Sequence, residues 1–179
     1  MTTAAEMMYE SHTALEPVRR TLLDVYADVR RDQLHLPWYS LEQYAERLDR
    51  HAAQPGWKAV VAYDGDEPVG SVYCTVVQPD DPWWDQMEEP LPEGFDQIPT
   101  ITVQGLWLRA PWRKTGASMR LLETLISGRT EKRLIGLVNP EEGGGKVQAL
   151  YESWGAKPFN SLRPAPKAPV HILVMYLFR

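Results

Sequence analysis

The chain has 179 residues, 44% of them hydrophobic and 24% charged, with a formal net charge of −5. That length is one domain's worth and buries a sizeable core, and the acidic balance argues against a nucleic-acid or anionic-membrane surface. No apolar run reaches membrane-spanning length, the N-terminus lacks the basic-then-apolar order of a signal peptide, and Cys74 is the single cysteine, so the expectation is a cytoplasmic protein without an internal disulfide.

Met7-Met8-Tyr9 suits a short first strand. From Thr13 onward Leu15, Val18, Leu22, Val25, Tyr26 and Val29 recur at three-to-four spacing, which predicts an amphipathic helix starting near Thr13-x-x-Glu16 or at Pro17. Arg19, Arg20, Asp24, Asp28, Arg30 and Arg31 fall on its outer face as solvated charges. Pro37 breaks the pattern, and Ser40-x-x-Gln43 then offers a capping box for a second helix through Tyr44 and Leu48. The β-rich runs 57–63 and 69–77, joined by the turn-forming stretch Asp64-Gly65-Asp66-Glu67-Pro68, read as a hairpin in which Cys74 is an inert strand residue.

The chain changes character at 78–99, which carries Pro79, Pro82, Pro90, Pro92 and Pro99, the pair Trp83-Trp84, and a run of Asp and Glu. No Lys or Arg occurs between Lys58 and Arg109. A loop of that length is functional or disordered, and neighbouring indoles favour partial order. Two readings stand here. One is a surface insertion packing its aromatics on its own domain; the other is an acidic, aromatic lid that attracts a cationic amine through charge and cation–π contact.

The stretch around which the chain is organised follows. Thr100 to Leu108 is an apolar, β-branched run, and Leu121, Leu122, Leu125 and Ile126 recur at helical spacing, giving strand, turn, helix. The turn holds Arg113, Lys114 and Gly116 where the helix begins. Unpaired N–H groups and the positive end of the dipole favour phosphate oxygens there, and a glycine lets the backbone approach them closely. A phosphate-bearing ligand is therefore expected, against the plainer alternative of an ordinary connection with solvated basic residues. Arg133 to Val138 reads as the next strand, Asn139 to Gly145 as a flexible connection, Val147, Leu150, Tyr151 and Trp154 as a helical stripe closed by Gly155, and Val170 to Leu177 as a final strand after the Pro-rich turn 164–169. His12, His35, His51 and His171 lack metal-ligand spacing, so no metal is expected.

The segment Leu106 to Ser118 resembles the acyl-CoA motif of the GNAT acetyltransferase superfamily, R/Q-x-x-G-x-G/A after a central strand, with Arg113 and Gly116 in their places and Ser118 where Gly or Ala is usual. Ala149 to Ala156 is similar to a second GNAT signature in its Leu150-Tyr151-Glu152 core and Gly155, departing at Gly144 and at Ala156. The resemblance implies a single α/β domain over 1–179, a mixed twisted sheet of six or seven strands flanked by about four helices. It further implies transfer of an acetyl group from acetyl-CoA to a primary amine by direct attack. By match, Leu106, Trp107 and Leu108 would offer main-chain groups to pantetheine, and Arg113, Lys114, Thr115, Gly116, Ala117 and Ser118 would hold the diphosphate. Tyr151 would be the general acid, a phenol near pKa ~10 protonating a thiolate near ~8.5. As the alternative, Tyr151 is one more aromatic in its stripe. The link with Trp38 and Tyr39 would face the acceptor or else pack as core, and Trp83 and Trp84 would serve the acceptor from the acidic segment.

Relatives often carry a base on the cofactor strand, yet Thr100, Thr102, Gln104 and Gly105 offer no carboxylate. The implied partner is a small, cationic amine, with a homodimer compatible and neither nucleic acid nor membrane involved. Two rivals stand beside it: acetylation of a peptide or protein amine, and a CoA-binding module without catalysis.

Overall fold

The computed structural model describes residues 2–163 and 166–177. In chain order it holds β1 (Met8–His12), α1 (Arg19–Val29), α2 (Leu41–Ala52), β2 (Lys58–Asp64), β3 (Glu67–Val77), β4 (Thr100–Leu108), α3 (Ala117–Ile126), β5 (Arg133–Val138), α4 (Lys146–Ser153), β6 (Lys157–Leu162) and β7 (His171–Leu177). Seven strands and four α-helices among the described residues match the expected mixed α/β class. Part of the Pro-rich turn, Pro164 and Ala165, lies outside them.

Local chemistry explains most boundaries. Ser40 caps α2 by accepting from the Gln43 amide at 3.2 Å, as its capping sequence predicts. The hairpin turn is the two-residue Gly65-Asp66, with Gly65 at φ +60° between the paired Asp64 and Glu67. Of the two expected starts for the first helix, the structure favours the one at Pro17 over the one near Thr13: it begins at Arg19 from an N-cap at Val18 with no side-chain cap. The strand β6 has no counterpart in the sequence reading, because Pro158 and Asn160 weaken its β signal.

The Cα positions divide into two compact units, Met1–Thr75 with Gln104–Arg129, and Val76–Val103 with Thr130–Arg179. In the first, the strands run in the order β1-β2-β3-β4, with β1, β2 and β3 antiparallel. Helices α1 and α2 bury Val18, Leu22, Tyr26, Tyr44 and Leu48 against Trp57, Ala59, Val61 and Tyr73. Strand alternation sends Val60 and Ala62 to the opposite face, where α3 lies along β1 and β2 with Leu121 and Leu125 fully buried. Each such aliphatic side chain contributes about 1.5–3 kcal/mol of burial free energy.

In the second unit the order is β4-β5-β7-β6. The β4–β5 ladder is parallel, from Thr100↔Arg133 to Val103↔Gly136, and β7 is antiparallel to both β5 and β6. Val77, Trp84, Ile135 and Leu162 form its core, with Trp83, Phe95 and Phe159 packed on them. The 78–99 segment folds here with two 3-10 turns, Pro82–Gln86 and Phe95–Gln97. Its Glu88 amide donates to the Ser161 carbonyl at 3.0 Å, which covers the outer edge of β6.

Candidate active site

The candidate cofactor residues lie on one continuous stretch of the first unit, from the end of β4 to the start of α3. After Leu108 a 3-10 turn, Ala110–Trp112, turns the chain, and two left-handed residues follow, Lys114 at φ +64° and Gly116 at φ +88°. Gly116 is the N-cap of α3 and has no side chain of its own to cap the helix. Thr115 stiffens the turn instead: its hydroxyl donates to the Trp112 carbonyl at 2.7 Å and accepts from the Ala117 amide at 3.3 Å. The Trp112 indole N–H donates to Asp64 at 2.8 Å. A lysine held left-handed costs on the order of 1 kcal/mol, a strain that recurs at ligand-binding turns. A Cβ at Gly116 would meet only Ala4 Cβ, at 3.7 Å, so conformation rather than crowding calls for glycine. Arg113 and Lys114 are exposed. The Arg113 Nε donates back to the Leu108 carbonyl at 3.2 Å, tying the turn to the strand.

One edge of β4's end runs along β3, where the Arg109 amide donates to the Val69 carbonyl at 2.9 Å and Gln104 donates to Thr75 at 2.9 Å. Among the described residues of this unit no strand pairs with its other edge. Strand alternation puts the main-chain groups of Trp107, like the Arg109 amide, on the β3 side and those of Leu106 and Leu108 on the other, where the Leu108 carbonyl accepts from Arg113. The Trp107 indole folds back over Gly105, where a Cβ would stand 2.5 Å from its Nε1; Gly105 is glycine because the indole occupies that space. The ring meets Tyr26 edge-on at 5.3 Å, and Tyr26 stacks on Tyr44 at 3.8 Å.

Arg30, read from sequence as a solvated charge, is only 6% exposed. Its amide still donates to the Tyr26 carbonyl at 2.9 Å, so Arg30 stands one helical turn beyond buried Tyr26 and shares its side of the helix. Its guanidinium lies 4.6 Å from the Tyr39 ring and 4.7 Å from the Trp107 ring, and Nη1 donates to Gln33 at 2.7 Å. Tyr39 is buried, and its carbonyl accepts from the Tyr26 hydroxyl at 2.9 Å. Trp38 is half-buried beside it, its indole N–H without a partner among the described residues. Sequence carries no signal for this cluster, since its members come from α1, the 30–40 link and β4.

In the second unit Tyr151 projects from α4 onto β5. A Cβ at Gly136 would stand 2.8 Å from Tyr151 Cε1, so the bare main chain of Gly136 makes room for the phenol. Tyr151 is buried, with Trp154 at 5.3 Å, and burial raises its pKa above the ordinary phenol value. Gly143, Gly144 and Gly145 all have positive φ, and Gly145 caps α4, so this triplet is a left-handed lead-in to the helix.

The acidic segment is pinned from β5 by Arg133. This side chain is 3% exposed, lies 4.0 Å from the Phe95 ring and 5.4 Å from the Trp84 ring, and donates to Thr100 Oγ1 at 2.8 Å and to the Phe95 and Ile98 carbonyls. Burial lowers its pKa, partly offset by Asp96. Trp84 is buried, bonded through Nε1 to the Gln78 carbonyl at 3.3 Å, and meets Trp83 and Phe95 edge-on at 5.2 and 5.7 Å. Trp83 is half-buried. Trp84, Met87 and Leu91 floor a hollow of about 370 Å³ whose rim carries Asp85, Glu88 and Asp96. Among the described residues no group of His, Cys, Asp and Glu could hold a metal ion, and no helix is long and apolar enough to cross a membrane.

A mixed sheet of seven strands with four α-helices among the described residues is a fold this chain shares with solved acetyltransferases. The solved structures carry this point. The chain is 14% identical to a GNAT-family acetyltransferase from Streptococcus agalactiae, with a TM-score of 0.69 over 96% of each chain. It is likewise 14% identical to Arabidopsis thaliana NAA60 in complex with acetyl-CoA, at a TM-score of 0.65 over 96% of this chain and 100% of that one. An aminoglycoside 6'-acetyltransferase type Ii is 20% identical, at a TM-score of 0.60 over 95% of this chain and 96% of the other. No protein-family model matches the chain, and neither does any curated protein.

Proposed function

We propose that this protein is an acetyl-CoA-dependent N-acetyltransferase acting on the primary amine of a small, cationic acceptor. The observation that carries the reading is the start of α3, where exposed Gly116 at φ +88° is an N-cap without a side chain and Thr115 holds the Ala117 amide. That arrangement fits a diphosphate, because the first-turn amides and the dipole offer donors to an anion beside the exposed Arg113 and Lys114. Acetyl-CoA, when bound, supplies the activated acetyl group.

In this reading Arg113, Lys114, Thr115, Gly116, Ala117 and Ser118 hold the phosphates, and the Leu106, Trp107 and Leu108 stretch takes the pantetheine arm through main-chain groups on the side away from β3. One of those amides polarises the thioester carbonyl, a preorganised donor that needs no reorientation. Tyr151 Oη holds the proton that the leaving sulfur takes; its raised pKa keeps it protonated across the working range. Trp38 and Tyr39 stand on the acceptor side of the first unit. The acceptor's positive charge is supported by the acidic hollow floored by Trp84 and by the half-buried Trp83 next to it. An aminoglycoside acetyltransferase among the similar folds agrees with an amine of this kind. The protein is read as working without nucleic acid or membrane and as residing in the cytoplasm.

A thiol-release screen with acetyl-CoA across polyamines, aminoglycosides, amino-acid amides and peptides tests this. Release with small polycationic amines is the expected result. Release on peptides alone would move the acceptor to a protein amine, and acetyl-CoA binding with no release on any amine would make the chain a CoA-binding module.

A further inference from the structure

We infer that Arg30 is a positioning residue for the end of the cofactor strand: lodged against the rings of Tyr39 and Trp107, it fixes the main chain of Leu106–Leu108 in the form that receives pantetheine. The inference rests on the acetyl-CoA reading above and assigns a residue which the GNAT resemblance does not supply.

A guanidinium that is 6% exposed loses most of its hydration, and a core needing only volume there would be served by Met or Leu. The charge is retained in a geometry that uses it. The guanidinium carbon lies over two aromatic rings, at 4.6 and 4.7 Å, and Nη1 donates to Gln33 at 2.7 Å. Trp107 has little freedom left. Gly105 has no Cβ to push the indole away, Tyr26 meets it edge-on at 5.3 Å, and Arg30 covers a face.

The same end of α1 reaches β4 a second time. Asp28 stands 3.7 Å from Arg109 Nε, just past the strand, and Glu67 adds a second carboxylate at 3.9 Å. Residues 107 and 109 are therefore both held through their side chains from α1. Leu108 between them turns its carbonyl to Arg113 Nε at 3.2 Å, which passes the placement on to the phosphate turn. Because Tyr39 is the other ring under Arg30, the α1–α2 link and the cofactor strand are set by one side chain.

Calorimetric titration of acetyl-CoA, and separately of its nucleotide half 3′-phosphoadenosine 5′-diphosphate, into wild type, Arg30→Met and Arg30→Lys tests the assignment. Arg30→Met is expected to lose about tenfold in affinity for acetyl-CoA, the worth of a buried cation–π contact, and to keep its affinity for the nucleotide half within about twofold. Arg30→Lys, which returns a cation to the rings, should recover most of the loss. Unchanged acetyl-CoA affinity in Arg30→Met, or equal loss for both ligands, would overturn the assignment while leaving the acetyl-CoA reading intact. A wild type that binds neither ligand would overturn both. If Arg30→Met does not fold, Tyr39→Leu, which removes one of the two rings, carries the same two titrations, with a loss of about threefold expected for acetyl-CoA alone.

Discussion

Gly136→Ala isolates the packing that places the proposed acid. The new Cβ would stand 2.8 Å from Tyr151 Cε1 and 3.2 Å from Cδ1 and Cζ. The strand cannot yield, because Gly136 is paired on one side with Val103 and on the other with Val174. The ring must therefore retreat, by roughly 0.6 Å if it is to regain an ordinary 3.4 Å contact, and it is buried against Trp154. Overpacking of this kind costs about 1–3 kcal/mol, which in a chain this long lowers the melting temperature by roughly 2–10 °C. Displacing an acid by a large fraction of an ångström costs up to about 10²-fold in turnover. Acetyl-CoA affinity should stay near wild type, since the phosphate turn belongs to the other unit. Differential scanning fluorimetry, thiol release with the best amine from the screen, and calorimetry read these quantities. A variant that melts and turns over like wild type would refute the close approach of phenol and strand.

Tyr151→Phe keeps the ring and removes the proton; turnover should fall by about 10²–10⁴-fold with acetyl-CoA affinity unchanged, and an unchanged rate would remove Tyr151 from the mechanism. His51, whose Nδ1 lies 3.0 Å from the Tyr73 hydroxyl, has its pKa lowered from 6.5 to about 4, first by burial and then by Arg50 and Arg47. Its neutral form is favoured in the fold, so its contribution is complete above pH 6.5 and is lost as pH falls toward 4. Urea unfolding should show wild type losing about 2–3 kcal/mol more than His51→Gln between pH 7.5 and 4.5, and parallel curves would contradict this. Arg133→Met leaves the Phe95 carbonyl and Thr100 Oγ1 without the buried donor while the Ile98 carbonyl keeps the Thr100 hydroxyl, a loss that should cost about 1–3 kcal/mol and expose 78–99 to limited proteolysis. Wild-type protection of that segment would show that Arg133 does not pin it.

The strand, turn and helix from Thr100 to Ile126 were legible because their signals are local: a β-branched run, a glycine at a helix start, and leucines at helical spacing. The same holds for Ser40 at the start of α2 and for β5, whose bounds coincide with the apolar run Arg133 to Val138. The proposed phosphate residues are consecutive in the chain, so a motif could point to them. Arg30 was misread because its charge was taken as a sign of exposure, although helical spacing sets it four residues past buried Tyr26 and eight past buried Leu22. Gly105 and Gly136 owe their identity to rings that arrive from elsewhere, from Trp107 two residues along and from Tyr151 on another helix, and composition does not encode such approaches. Strand β6 forms against β7 despite Pro158, with a register shift between Pro158 and Asn160, so pairing across the chain overrides a weak local preference. Of the two readings of 78–99, the described residues show an ordered segment whose buried Trp84 already receives Arg133.

The grip of the α3 start on the diphosphate of coenzyme A is tested most directly by titrating acetyl-CoA calorimetrically into wild type and Gly116→Trp, with a melting curve for each. Micromolar binding to wild type is expected, about −8 kcal/mol, with loss of at least about 100-fold in a variant that still melts cooperatively. Equal affinity in the two proteins would contradict it.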